Sequence, residues 1–186
     1  VIMLKPRLIP SLLIEDGLVV KTTNFKDPVY IGDPINTVNI FNQKEVDEIC
    51  IFDISASSKN IDPNYKLIET IASQARMPIC YGGGIKNIEQ AQKIFNSGVE
   101  KIALNSIIFA DLSIINKLAS KVGSQSVVLV LDVKKKMLGG YEIYINSGKT
   151  STKKELFTFL KEIDGLNYGE LIINCIDLDG TEKGYD

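Results

Sequence analysis

Two polar stretches follow apolar runs of the sequence and carry groups that could together hold a phosphate. They are the triplet Gly82, Gly83 and Gly84 after the run 78–81, and the pair Asn105 and Ser106 after the run 101–104. Glycines expose backbone N–H groups, and a serine hydroxyl adds a donor. The two stretches predict a phosphate site, although a glycine triplet alone can also be a tight turn.

A cation for the same phosphate is available in the polar segment 15–33. Lys21 of this segment could close over the site as a positive charge. The alternative is an ordinary solvated lysine of a loop.

Charged residues stand at the beginnings of four predicted strands. They are Arg7, Glu48, Lys101 and Glu170. If these strands surround one axis, the alternating charges can pair as a ring, and burial would make unpaired charge there costly. We expect a gate-like ring, and a purely structural salt-bridge plug is a compatible alternative.

Two patterns recur along the chain at intervals of about 120 positions. The apolar run that ends in Asp53 resembles a later run in which Asp177 occupies the position of Asp53. In the same alignment, Asp179 occupies the position of Ser55. In the second pattern, Leu13 corresponds to Asp132. The repeats favour duplication of a half-domain, with a first half at 1–125 and part of a second half at 126–186.

Apolar runs alternate with helical patterns along the whole chain. Strands are predicted at 7–14, 48–54, 78–81, 101–104, 126–133 and from 170, and helices at 34–44, 65–74, 88–97, 112–121 and 153–163. A polar loop is predicted at 15–33 and a small hairpin within 134–151. This alternation predicts a parallel α/β sheet. With the duplication it predicts a single domain, 1–186, that covers about six of the eight units of a (β/α)₈ TIM barrel and is C-terminally incomplete.

Composition excludes several kinds of chemistry. The 186 residues are 45% hydrophobic with a net charge of −2, and no histidine is present, so imidazole chemistry is excluded. Cys50, Cys80 and Cys175 lie in apolar runs without CxxC spacing, which favours buried reduced thiols over metal ligands. We expect no metal, no cofactor, no nucleic-acid partner and no membrane association, and a cytoplasmic location.

Short motifs are spread over the entire sequence. They are Arg7–Pro10, Asp16–Lys21, Gly32–Pro34, Phe52–Ser57, Gly82–Ile85, Gly123–Gln125 and Asp177–Asp186. Together they resemble the cyclase subunit of imidazole glycerol phosphate synthase. The resemblance implies a lyase of histidine biosynthesis that forms a heterodimer with a glutaminase on the N-terminal face of the barrel. It also implies that ammonia passes through the barrel to a phosphorylated substrate at the opposite mouth.

The resemblance further implies roles for individual residues. The acid and the base are aspartates at the ends of strands one and five, and Asp132 holds the second of these positions. The first position is Leu13, whose alkyl side chain cannot transfer a proton. Asp177 and Asp179, with the adjacent Gly180, are assigned to the substrate's hydroxyls and phosphate. The segment with Lys21 becomes a mobile lid, and the charged ring becomes an ammonia gate.

Three hypotheses follow from the retained ring and the missing first aspartate. The chain is a cyclase with an altered set of residues, or it is an ammonia conduit for amidation of a nucleotide-activated sugar in surface polysaccharide biosynthesis. The third possibility is an inactive scaffold.

Overall fold

Strands and helices alternate throughout the computed structural model, which describes residues 5–59 and 61–186. The strands are β1 Ser11–Glu15, β2 Leu18–Thr23, β3 Lys26–Gly32, β4 Ile49–Asp53, β5 Ile79–Gly82, β6 Lys101–Leu104, β7 Val127–Lys135, β8 Tyr141–Ile145, β9 Thr150–Glu155 and β10 Glu170–Cys175. The α-helices are α1 Pro34–Gln43, α2 Ile54–Ser58, α3 Tyr65–Gln74, α4 Ile88–Asn96, α5 Ser106–Ala110, α6 Ser113–Val122 and α7 Leu156–Glu162.

Six of the strands form a parallel sheet in the order β1, β4, β5, β6, β7, β10. Two antiparallel hairpins extend it: β2 and β3 follow β1, and β8 and β9 follow β7. Within the described residues, no pairing joins β1 to β10. The sequence-based prediction of six parallel strands in an α/β chain is therefore confirmed.

Alternation along the parallel strands separates two apolar layers. In β4, Ile49 and Ile51 belong to the large cluster between sheet and helices. Cys50 lies on the other face, where it packs with Cys80 and Val130 in a smaller cluster. Because successive side chains of a strand point to opposite faces, every second residue of each parallel strand lines this second, interior face.

The ends of the helices have clear local causes. At α1, the Asp33 side chain accepts hydrogen bonds from the N–H groups of Ile35 and Asn36, and Pro34 occupies the first turn. Asn64 and Asn87 cap α3 and α4 in the same way. These caps fix where each helix leaves the preceding strand.

The polar loop predicted at 15–33 is wrong, since this segment is the β2–β3 hairpin. Val19 and Val20 of β2 are buried, and Asn24 and Phe25 at the turn have φ of 52° and 61°. Two consecutive residues with positive φ produce the tight turn whose twist matches a hairpin.

The second predicted hairpin is present but extends further along the chain. Strands β8 and β9 reach Glu155, so α7 begins at Leu156 rather than at 153. The first strand begins at Ser11 rather than at 7. The preceding Pro10 has no N–H to donate to a sheet ladder. None of the helices formed by the described residues combines the length and apolar character needed to cross a bilayer.

Candidate functional site

Asp132 lies inside the sheet, near the carboxyl end of β7. It follows Val128 and Val130 on the interior face and is 8% exposed. Asn105 donates a hydrogen bond from Nδ2 to Asp132 Oδ2 over 3.1 Å, and Asn174 of β10 donates to Oδ1 over 3.5 Å. Three neighbouring strands thus bring one carboxyl group and two amides together.

Burial changes the acid strength of this carboxyl group. It raises the pKa of Asp132 to about 7, although the hydrogen bonds from Asn174 and Asn105 act in the opposite direction. The negative charge of Asp179 contributes to the increase. A carboxyl group with this pKa can both donate and accept a proton near neutral pH.

Leu13 lies on β1, which the β2–β3 hairpin and the three parallel strands β4, β5 and β6 separate from β7 along the chain, but it lies on the same interior face. Its neighbours Leu12 and Ile14 pack against the helices, so alternation directs Leu13 inward with Ile9. Its partner in the β1–β4 register is Phe52. At this position the structure therefore offers an alkyl group and no proton donor or acceptor.

The glycine triplet lies directly against the end of β4 and the start of α2. Gly83 has φ +127°, and a Cβ added there would lie 2.4 Å from the backbone oxygen of Asp53. At Gly84 (φ +67°) a Cβ would lie 2.9 Å from Ala56 Cβ. A Cβ at Gly82 would touch the Phe52 ring at 2.9 Å. Each of these contacts favours glycine over larger residues.

Asn105 and Ser106 follow β6, and their polar atoms have partners within the protein. Asn105 donates to Val130 O over 3.0 Å as well as to Asp132. Ser106 Oγ lies 3.2 Å from Asn105 Oδ1 and 3.4 Å from Asn146 Oδ1. Within the described residues, no hydrogen bond joins this pair to the glycine triplet. Asn105 thus positions Asp132, a contact not anticipated from the sequence.

The segment after β10 carries the two other aspartates. Asp177 accepts a hydrogen bond from Lys135 N over 2.9 Å, so its carboxylate holds the end of β7. Asp179 accepts from Thr22 Oγ1 over 3.3 Å, and burial raises its pKa. A Cβ at Gly180 would lie 2.1 Å from Thr22 O, so this glycine allows the segment to pass close to β2.

Lys21 and Asn24 connect the β2–β3 hairpin to that same segment. Lys21 Nζ lies 3.3 Å from Glu182 Oε1, and both side chains are largely exposed. Asn24 donates from Nδ2 to the carbonyls of Ile176 and Asp177, over 3.0 and 2.8 Å. The hairpin therefore crosses to the carboxyl end of β10, where Lys21 reaches the segment of Asp179.

The four charged residues at the other end of the strands form a closed ring. Arg7 contacts Glu48 Oε2 and Glu170 Oε2, each over 2.9 Å. Lys101 contacts Glu48 Oε2 over 2.5 Å and Glu170 Oε1 over 2.7 Å. The Glu48 side chain is 4% exposed and that of Arg7 is 46% exposed. Positive and negative groups alternate around the ring, so every charge has two partners.

The ring also shifts the pKa values of its members. Burial opposes the charge on Lys101, but hydrogen bonds to Glu170 and Glu48 outweigh it and raise the pKa of Lys101. Burial likewise favours neutral Glu170, yet Arg7 and Lys101 lower its pKa. Both shifts favour the charged forms of Lys101 and Glu170. From Lys101 to Asn105 the interior face extends about 13 Å at the rise of a strand.

Three site residues were missed in the sequence: Asn174, Thr22 and Asn146. Asn174 lies four positions after Glu170 in a strand of otherwise apolar residues, and its spacing could have placed it on the interior face. The other two belong to hairpins, and their contacts depend on how each hairpin folds over the mouth.

Comparison with known proteins identifies the relatives of this chain. The family described as "Histidine biosynthesis protein" matches residues 7–186. A relative from Leptospira borgpetersenii, provisionally named imidazole glycerol phosphate synthase subunit HisF, is 51% identical over 99% of this chain and 73% of its own length. The imidazole glycerol phosphate synthase subunit HisF of Campylobacter concisus is 37% identical over 96% of this chain and 71% of its own length.

The imidazole glycerol phosphate synthase subunit HisF of Streptococcus gordonii is 35% identical over 99% of this chain and 73% of its own length. The family fold is the TIM barrel, and the six parallel strands of this chain fit it. Both the predicted fold class and the predicted resemblance are confirmed. The chain belongs to the histidine biosynthesis protein family, among the HisF-type subunits of imidazole glycerol phosphate synthase.

Proposed function

We propose that this chain is the ammonia-using subunit of a glutamine-dependent complex of the imidazole glycerol phosphate synthase type. A glutaminase subunit binds the face that carries the ring, and ammonia crosses the interior to a phosphorylated substrate near Asp132. The observation that carries the proposal is the closed ring of Arg7, Glu48, Lys101 and Glu170 at one end of the interior, with Asp132 at the other.

The lining of the interior supports passage of neutral ammonia. Cys50, Ala103 and Val130 lie between the ring and Asp132 and belong to the smaller apolar cluster. An apolar passage disfavours the ammonium ion, because desolvating a charge is costly. It therefore keeps the molecule in its nucleophilic form.

The ring is suited to open and close rather than to act as a fixed plug. Its Arg7 side chain is half exposed, whereas the Lys101 side chain is 15% exposed and contacts both glutamates. A buried ion pair can often be replaced by packed apolar groups without loss of stability. The charged residues of the ring therefore suit a role in which a side chain moves aside to let a small polar molecule pass.

At the opposite mouth, several groups suit a phosphorylated acceptor. Backbone N–H groups of the glycine triplet and the hydroxyl of Ser106 can donate hydrogen bonds to phosphate, and Lys21 supplies a positive charge. Asp132 transfers a proton at the reacting atoms. For a cyclisation of the histidine pathway, this leaves one of the two expected acid–base groups in place.

A second candidate function is favoured by Leu13. Ring closure requires one proton to be delivered while another is withdrawn, and Leu13 can do neither. The chain would then pass ammonia to a separate enzyme that amidates a nucleotide-activated sugar in surface polysaccharide biosynthesis, with little or no cyclisation of its own.

The test of ammonia passage uses the natural full-length protein with its co-encoded glutaminase. Lys101→Met breaks two contacts of the ring and keeps much of the side-chain volume. We expect ammonium-dependent product formation to persist, while glutamine is hydrolysed without a matching amount of product. Lys117→Met, on the exposed face of α6, is the matched control. Unchanged coupling in folded Lys101→Met, or no binding of the glutaminase, would reduce the ring to a structural plug.

The acceptor is tested separately with ammonium salt. The wild-type protein is incubated with the ribulosyl formimino substrate of the family, and imidazole glycerol phosphate is measured. A rate like that of other family members supports the cyclase. Absence of product, together with glutamine-dependent amidation of a nucleotide-activated sugar when the sugar enzyme is added, supports the conduit.

A further inference from the structure

Two cysteines and one glutamate converge directly inside the charged ring. Cys50 of β4 and Cys80 of β5 are register partners in the parallel sheet, and both belong to the interior cluster. A carboxylate oxygen of Glu48 and both sulfur atoms all lie within 4.8 Å of one another. All three residues are buried. Among the described residues, this is the group of acidic and thiol side chains whose spacing suits a metal ion.

The ligand set defines which ions fit. Thiolates select thiophilic cations, and a carboxylate oxygen is also an ordinary ligand of zinc. Zn–S bonds are about 2.3 Å long, so two sulfur atoms on one ion lie at most about 4.6 Å apart. The spacing of Cys50 and Cys80 therefore needs only a small change of side-chain torsion to close around an ion. Neighbouring strands supply a rigid base for this change.

We propose that Glu48, Cys50 and Cys80 form a binding site for a thiophilic divalent cation, of which Zn²⁺ is the natural example. This proposal differs from the expectation from the sequence, which favoured buried reduced thiols over metal ligands. The sequence spacing could not reveal the site, because its ligands converge only through the pairing of β4 with β5.

The charges around the site accommodate such an ion. Glu48 binds both Arg7 and Lys101 through Oε2, which leaves Oε1 available for coordination. When the ion binds, the two thiols release two protons to solvent. The charge of the ion replaces the charge of those protons, so the net charge of the ring and its surroundings stays the same. Three protein ligands leave the fourth tetrahedral position to a water molecule.

Occupation of the site has a consequence that rests on the proposed function. The ion would lie immediately behind the ring, on the path from the glutaminase to Asp132. It would then inhibit glutamine-dependent product formation and leave ammonium-dependent formation intact, since added ammonium can enter at the open mouth. Binding itself does not depend on that function and is measured without any assay of activity.

The test is titration of the reduced, natural full-length protein with Co²⁺. Tetrahedral thiolate coordination gives sulfur-to-cobalt charge-transfer absorption in the near ultraviolet and intense visible bands, which Zn²⁺ should abolish by displacement. We expect one equivalent per chain. Cys50→Ala and Cys80→Val, which keep the interior apolar, should each weaken binding at least tenfold. Cys175→Ser is the control and should bind as wild type, because Cys175 lies on a different part of the sheet.

Several results would overturn the site. If the wild-type protein shows no thiolate-to-cobalt bands, the proposed site is wrong, and no variant is needed to decide this. The test therefore remains decisive even if a variant folds poorly. Equal binding by folded Cys80→Val, or loss of binding in Cys175→Ser, would place the ion elsewhere. If the metal-free protein loses two titratable thiols on oxidation and its reduced form binds no Co²⁺, the pair forms a disulfide instead. Co²⁺ binding without inhibition would retain the site and count against the proposed path.

Discussion

Asn105 donates a hydrogen bond to Asp132 over 3.1 Å, and this bond opposes the effect of burial on the acidity of the carboxyl group. Without it, Asp132 would be still harder to ionise. The amide of Asn105, together with that of Asn174, therefore lowers the pH at which the carboxyl group exchanges its proton. Asn105 acts on the chemistry through Asp132 and is a positioning residue.

We expect Asn105→Ala to raise the pKa of Asp132 above its value of about 7, because the variant removes a hydrogen bond that favours the charged form. The titration of the Asp132 carboxyl carbon, followed by ¹³C NMR, measures the shift. Asn167→Ala is the control, since Asn167 contacts Asn116 on the surface. An unchanged pKa in folded Asn105→Ala would contradict the role assigned to this bond.

Leu13→Asp should restore the second proton-transfer group. If the missing carboxyl group limits cyclisation, the rate of imidazole glycerol phosphate formation should rise by about 10²- to 10⁴-fold, the usual effect of a positioned acid or base. Leu13→Asn is the matched control, because it has nearly the same shape without an ionisable group. If Leu13→Asp folds and binds substrate but is no faster than Leu13→Asn, then some other difference from the family's cyclases limits the reaction.

Gly83→Ala should destabilise the protein through a steric clash as well as backbone strain. Its Cβ would lie 2.4 Å from Asp53 O, while Gly139 also has a positive φ (+89°) and nothing within 4 Å. The comparison of Gly83→Ala with Gly139→Ala separates the clash from the strain of φ. We expect an additional loss of about 1 to 3 kcal/mol, which lowers Tm by several degrees in a domain of this size. Equal melting temperatures would mean that the loop moves away from Asp53 at little cost.

Phosphate should bind at the mouth formed by the glycine triplet and Ser106. Line broadening of inorganic phosphate in ³¹P NMR, measured with the natural full-length protein, reports binding. Ser106→Ala removes one donor and should weaken the affinity by about three- to tenfold, as expected from a net hydrogen-bond contribution of about 1 kcal/mol. Ser120→Ala on α6 is an exposed control. Equal affinities would remove Ser106 from the site.

Glu170 should contribute stability that is lost in acid. Its pKa in the folded protein lies below the ordinary value, so the contribution is complete above the pKa of the unfolded chain and disappears as pH falls through the lowered folded pKa. Glu170→Gln should be less stable than wild type at neutral pH, and the difference should shrink toward pH 3. Urea denaturation at several pH values measures this, with Glu69→Gln on the exposed face of α3 as control. If the difference in unfolding free energy between wild type and Glu170→Gln does not change with pH, the charge of Glu170 does not contribute to stability.

The parallel strands could be predicted because apolar runs bounded by polar tips are a strong local pattern. The ring could be predicted for a related reason. Its members occur at the starts of strands, where parallel geometry brings their charges to the same end. Neither inference required knowledge of the contacts themselves.

Contacts between distant polar residues were harder to predict. The β2–β3 segment contains lysines, aspartates and an asparagine, and its polarity masked the valines that pack beneath it. Asn105 was assigned to phosphate by its place at the end of a strand. Its contact with Asp132 could not be predicted, because it depends on which neighbouring side chain points inward at the same depth.

The connection of Asn24 with Ile176 and Asp177 has a consequence for the order of events during folding. The partners are 152 and 153 residues apart in the chain, and Thr22 and Asp179 are separated by 157. Contacts between residues so far apart in the sequence form late, because ordering the chain between them has an entropic cost. During synthesis, β2 and β3 leave the ribosome long before their anchor exists. The hairpin should therefore remain accessible to chaperones and proteases until β10 has joined the sheet.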